Sequence, residues 1–174
     1  MQDTGAHWIK KYDESSTWFF DKDEVHDVEA IKEWLDPYMF NRDTAYSTST
    51  GWEIRNLKNI TPNELRQRGL GWFGDWAERQ NFSHISTVSC NILHPGGSID
   101  MHIDGNMELP LRKKVYVNLH PSEHVYFRFR DTGLVPMNTP RTLWLNTDQY
   151  VHGVVNDTST SRIILSINGD AEWV

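Results

Sequence analysis

From Ser86 onward the chain alternates apolar and polar residues with a period of two, and this pattern constrains the fold more than any other feature. Val88, Cys90 and Ile92 oppose Ser89 and Asn91. Ile99, Met101 and Ile103 oppose Asp100, His102 and Asp104. Val115, Val117 and Leu119 oppose Lys114, Tyr116 and Asn118. The same rhythm recurs in Val125–Arg130, Thr142–Asn146 and Arg162–Ile167. Successive strand residues point to opposite faces, so each segment carries one apolar face and one mixed or polar face. With Tyr150 to Val155 there are seven such segments in about eighty residues, which predicts a sandwich or barrel.

The first part of the chain reads differently. Val25, Val28, Ile31 and Leu35 recur at helical spacing and predict a helix over Glu24–Leu35, stopped by Pro37. Tyr46–Thr50 reads as a loop and Gly51–Leu57 as a strand. Thr61-Pro62-Asn63-Glu64 is a helix start, with Thr as cap, Pro in the first turn and Glu three residues after the cap. That helix is expected to end near Gly69, and a second to cover Asp75–Gln80. Helices ahead of a run of strands would cover one sheet. At 174 residues the chain is expected to form a single domain, residues 1–85 being helical or irregular and 86–168 the β core.

The net charge of −7 argues against a nucleic-acid partner. Arg112, Lys113, Lys114, Arg128 and Arg130 are the residues from which a local basic patch would be built. No stretch reaches the length of a membrane span, and Met1–Lys11 is polar, without a signal-peptide core. The single cysteine, Cys90, permits no intramolecular disulfide and reads as a small buried hydrophobe. A soluble chain in a reducing, cytoplasmic compartment is the expectation.

The polar faces carry the chemistry. His102 and Asp104 share one face of a strand, and His152 follows in Tyr150-Val151-His152-Gly153-Val154-Val155-Asn156. Two His and one carboxylate form the facial triad of non-haem Fe(II) oxygenases, which leaves coordination positions open. Asp100 shares the face of His102 and competes with Asp104 as the carboxylate. His94, before a Pro-Gly turn, and the pair His120 and His124 read as structural or loop residues. Arg162 opens the last strand. Turned inward it would need an anion and suits a carboxylate; otherwise it is exposed or pairs with Asp157 or Asp170. Trp72, Trp76 and Trp144 line a pocket or pack in the core.

His94-Pro95-Gly96-Gly97-Ser98-Ile99-Asp100-Met101-His102, then Lys114-Val115-Tyr116-Val117-Asn118-Leu119, then His152-Gly153-Val154-Val155-Asn156 and Arg162, resemble the aspartyl/asparaginyl β-hydroxylase family of 2-oxoglutarate/Fe(II) dioxygenases. Order and spacing match together from Val88 to Asn168, about half the chain. The resemblance implies a mainly β fold, a double-stranded β-helix of jelly-roll or cupin-like form. It implies Fe(II) held by His102 and His152. Some members of the family carry Gly where this chain has Asp104, which completes a triad and argues against halogenation. Arg162 matches the residue on the far carboxylate of 2-oxoglutarate. Asn91, Lys114 and Tyr116 match a Ser, an Arg and a His near the same co-substrate, and each still offers a donor. With O2 as oxidant, the implied substrate is amino-acid-like, a peptide or protein side chain or a free amino acid. A cupin-like metal- or sugar-binding module is the alternative.

Overall fold

The computed structural model describes residues 17–43, 51–104 and 113–171. Met1–Lys11, Tyr46–Thr50 and Arg112 lie outside them. The strands are β1 (Trp18–Val25), β2 (Asn41–Arg42), β3 (Trp52–Lys58), β4 (Phe82–Leu93), β5 (Ser98–His102) and β6 (Lys113–Asn118). They continue as β7 (Val125–Phe129), β8 (Gly133–Val135), β9 (Arg141–Leu145), β10 (His152–Asn156) and β11 (Arg162–Ala171). Helices α1 (Val28–Trp34), α2 (Pro62–Gln67) and α3 (Gly71–Arg79) come before β4.

Two antiparallel sheets face each other, one of seven strands in the order β1-β9-β6-β11-β4-β3-β2 and one of four in the order β5-β10-β7-β8. The alternation along each strand divides the apolar residues between two cores. Leu93, Leu143, Leu145 and Ile164 of the large sheet meet Phe127, Phe129, Val135 and Val154 of the small one. On the other side of the large sheet Val88, Cys90, Val115, Val117, Leu165 and Ile167 pack against Ile31, Leu65, Phe73 and Trp76 of the helices. Each such side chain, once fully buried, contributes about 2 kcal/mol. The expected double-stranded β-helix with helices on one sheet is the observed architecture.

Local expectations fare unevenly. Thr61 and Glu64 form the capping box of α2 as read. Glu24 and Val25 are not helical: they end an edge strand paired with β9, and α1 starts after Asp27, whose side chain caps Ala30 N–H. Helix α3 begins four residues before its expected start. Gly74 sits inside it because a Cβ there would lie 2.6 Å from Pro62 O and 3.0 Å from Arg66 Cγ, so the glycine is what lets α2 and α3 pack closely. Cys90 is fully buried, and burial pushes its thiol pKa up. Lys113 and Lys114 are buried and form no basic patch: Lys113 donates to Gln80 O at 2.9 Å.

Strand β5 departs most from its alternation. His102 pairs with His152, yet Ile99 pairs with Val154, so three steps on β5 face two on β10. This is a β-bulge, and it shifts the strand's phase. Ile99 packs into the inter-sheet core while Met101 and Ile103 are 47% and 40% exposed. Met101 lies over Gly153, where a Cβ would come within 2.8 Å of its sulfur. The bulge turns Ile99 and His102 to the same side of the sheet, which simple alternation forbids.

Candidate metal centre

His102 closes β5 and His152 opens β10, directly opposite each other in the ladder. Their ring centroids are therefore 4.4 Å apart. Asp104, two residues past β5, is drawn back by its backbone N–H, which donates to Thr147 O at 3.0 Å. Its Oδ1 lies 3.1 Å from His102 Nε2 and 3.6 Å from His152 Nε2. The ligand atoms of the three residues all lie within 4.8 Å of one another, the one such group of His, Cys, Asp and Glu among the described residues. Asp100, the rival carboxylate, has an exposed side chain outside the group.

Both imidazoles are oriented by the backbone. His102 Nδ1–H donates to Asp100 O at 2.6 Å and His152 Nδ1–H to Tyr150 O at 3.0 Å. Each bond fixes the tautomer and leaves Nε2 for a ligand, as at protein metal sites generally. Cis ligands at bond lengths of about 2.1 Å stand about 3 Å apart, so the cluster fits a divalent ion with little movement. His152 is 4% exposed and stacks parallel to Phe127, with centroids at 5.5 Å.

The electrostatics agree with a preformed site. Burial opposes charge on Asp104, but hydrogen bonding from His102 and the charges of Lys114 and His152 outweigh it and hold the carboxyl well below its usual range. The Asp104 hydrogen bond raises His102, whereas burial lowers His152. Lys114 Nζ donates to Asp104 Oδ2 (3.0 Å), Thr147 Oγ1 (3.2 Å) and Asp148 Oδ1 (2.6 Å).

A small cleft of about 50 Å³ adjoins the cluster and is lined by Trp52, Asn91, Leu93, Ile99, Tyr116, Phe127, Val154, Arg162 and Ile164. Phe127, which stacks on His152, joins the two. Arg162 is 3% exposed, and its Nε and Nη2 meet no hydrogen-bond partner. Burial pulls its pKa down to about 9. It is neither a surface residue nor paired with Asp157 or Asp170. An unpaired buried guanidinium is costly, and a carboxylate entering the cleft would relieve that cost. Tyr116, pushed up to about 12 by burial, and Asn91, which donates to Ser166 Oγ at 3.4 Å, line the same space. Lys114 does not line it.

The remaining candidates stand apart. His94 bonds Ser161 Oγ at 3.0 Å, and His120 Nδ1 accepts Ile163 N–H at 3.0 Å. His124 is exposed. Trp76 and Trp144 are core residues and Trp72 packs on the helical core. Three residues at the site escape a sequence reading. Thr147 and Asp148 are buried polar residues of the turn before His152. The third is Trp52, whose buried Nε1–H has no partner. The only sequence signal for the first two is a polar Asn-Thr-Asp run directly after an apolar strand.

No protein-family model matches the chain, and no curated protein matches its sequence. Solved structures resemble its fold. HygX from Streptomyces hygroscopicus, determined with nickel, 2-oxoglutarate and hygromycin B, aligns over 100% of this chain and 90% of its own at a TM-score of 0.59 and 12% identity. A Pseudomonas putida prolyl-4-hydroxylase aligns over 96% and 98% at 0.57 and 12% identity. A Burkholderia pseudomallei oxidoreductase of the 2OG-Fe(II) oxygenase family aligns over 97% and 90% at 0.52 and 14% identity. At such identities the likeness establishes the double-stranded β-helix fold.

Proposed function

We propose that the chain is an Fe(II)- and 2-oxoglutarate-dependent dioxygenase that hydroxylates a C–H bond of an amino-acid-like substrate. One observation carries the reading: a His-Asp-His cluster beside a cleft that holds an unpartnered, buried guanidinium. His102 Nε2, Asp104 Oδ1 and His152 Nε2 would hold the iron. When bound, Fe(II) with 2-oxoglutarate and O2 supplies oxidative decarboxylation to succinate coupled to hydroxylation of substrate. The protein's part is binding, orientation and exclusion of water. Arg162 would receive the far carboxylate of the oxoacid, and Leu93, Ile99, Phe127, Val154 and Ile164 would supply an apolar wall for its methylenes. Tyr116 and Asn91 offer further donors from the same wall.

The fold likeness to HygX and the prolyl-4-hydroxylase supports the reaction class. The aspartyl/asparaginyl subclass, and with it a peptide or free amino acid as substrate, rests on the motifs from His94 to Arg162. A metal- or sugar-binding module of the same architecture gives no reason for Arg162 to be buried without a partner.

The test has an anaerobic and an aerobic arm. Without O2, Fe(II) plus 2-oxoglutarate is expected to give a weak visible charge-transfer band; once O2 is admitted, succinate release serves to screen amino acids and peptides. His102→Ala should lose the band and all turnover. Succinate formation by that variant at the wild-type rate would overturn the assignment.

A further inference from the structure

We infer that Lys114, backed by Thr147 and Asp148, is a positioning residue that dictates how Asp104 meets the metal. One carboxylate oxygen goes to the ion and the other to the ammonium. The inference rests on the metal assignment above and departs from the role that the resemblance implies for Lys114, a contact to the co-substrate.

The two oxygens of Asp104 are already divided. Oδ1 faces both imidazoles, at 3.1 and 3.6 Å, while Oδ2 lies 3.0 Å from Lys114 Nζ. An ammonium has three N–H donors, and all three have acceptors: Asp104 Oδ2, Thr147 Oγ1 and Asp148 Oδ1. None is left for an oxoacid, and Lys114 is absent from the wall of the Arg162 cleft.

The arrangement is built in. Lys114 is 6% exposed, Thr147 1% and Asp148 5%. A buried ammonium is tolerable only when paired and hydrogen-bonded. Asp148 supplies that pairing independently of Asp104, so the cation stays in place when Asp104 turns towards a metal. Thr147 holds Asp104 directly, its backbone oxygen accepting the Asp104 N–H, and holds Lys114 through its hydroxyl, which accepts from the same ammonium.

The consequence concerns coordination number. Three single-atom protein ligands leave three positions of an octahedral ion open. An oxoacid chelating through two atoms would fill two and leave the third for O2. A carboxylate free to use both oxygens would take one of those positions. Lys114 prevents this by engaging Oδ2.

The experiment uses the full chain loaded with Co(II) in the absence of oxoacid, read by its visible d–d spectrum, and then anaerobic Fe(II) titrated with 2-oxoglutarate. Lys114→Met is expected to alter the Co(II) spectrum and to weaken 2-oxoglutarate binding by about tenfold or more. Lys114→Arg, which keeps the charge and the donors, should restore both. Lys114→Met/Asp148→Asn removes the buried ammonium together with the charge of its partner carboxylate. It decides the matter if the single variant does not fold, because it should show the same altered spectrum and the same weakening. Unchanged spectra and affinities would overturn the inference. So would weaker 2-oxoglutarate binding with an unaltered oxoacid-free Co(II) spectrum, the mark of direct contact with the oxoacid. A wild-type chain that binds neither Co(II) nor Fe(II) would instead overturn the metal assignment itself.

Discussion

Trp52 and Arg162 both stand opposite Leu93, one on β3 and the other on β11, so strand register places an indole N–H and a guanidinium on either side of one apolar residue. Their buried donors share the lack of a partner and the same cleft. A carboxylate accepts at about four lone-pair sites, more than a guanidinium fork alone fills. Trp52→Phe keeps the apolar wall and removes one donor. It should weaken 2-oxoglutarate binding by about three- to tenfold, in line with about 1 kcal/mol for a lost hydrogen bond, with little change in turnover at saturation. An unchanged dissociation constant by charge-transfer titration would remove Trp52 from the site. The metal candidates were legible because ligand chemistry restricts residue type and because His102 and Asp104 are two apart. Trp52 was not, because any of eight Trp fits a core and its meaning lies in an unmade hydrogen bond. Lys114 was placed on the right face by its alternation, but nothing local says which of two neighbouring acids and a ligand it will serve.

The alternation read in β4, β6, β9 and β11 is the observed division between the two cores, since a residue of a sheet buried on both sides must choose one. It fails in β5, where the bulge that faces His102 inward leaves no compositional trace beyond Gly153 opposite, and it is absent from β1, where three aromatics precede four charged residues. Strand β1 leads into His26, the joint between that edge and α3. His26 is buried. Its Nε2 is 2.8 Å from Thr142 Oγ1, which also accepts Trp76 Nε1–H at 3.2 Å, and its ring packs edge-on to Trp72 at 5.4 Å. The Thr142 hydroxyl proton is free to go to Nε2, which requires a neutral imidazole. Burial lowers the His26 pKa, with Glu24 opposing and Arg79 reinforcing the shift. The unfolded chain therefore binds more protons below an ordinary pKa of about 6.5, and stability falls as pH drops through that value. His120 and His152 are lowered too and add to the slope, while His102 is raised and opposes it. His26→Gln should show a shallower decline of the melting temperature between about pH 7.5 and 5.5. An identical slope would mean that His26 titrates alike in both states.

For the molecule as a whole, the two sheets are joined by an apolar core, and the candidate site interrupts that core with a charge. The small sheet contributes His102 and His152, the large sheet contributes Arg162, and a bound oxoacid would span the gap between them. Without an anion, a fully enclosed guanidinium with unsatisfied Nε and Nη2 is a net cost. Most substitutions of a buried residue destabilise, but Arg162→Met, close in volume and able to fill the cleft wall, should raise the stability of the free protein by about 1–3 kcal/mol. The same variant should lose the stabilisation that Fe(II) or Co(II) with excess 2-oxoglutarate gives the wild type, which amounts to about 2.7 kcal/mol at a hundredfold excess over the dissociation constant. Parallel thermal melts of both proteins, with and without metal and oxoacid, test the two effects together. A free Arg162→Met protein that melts well below the wild type would show that the guanidinium holds the sheets together through contacts of its own rather than awaiting a ligand.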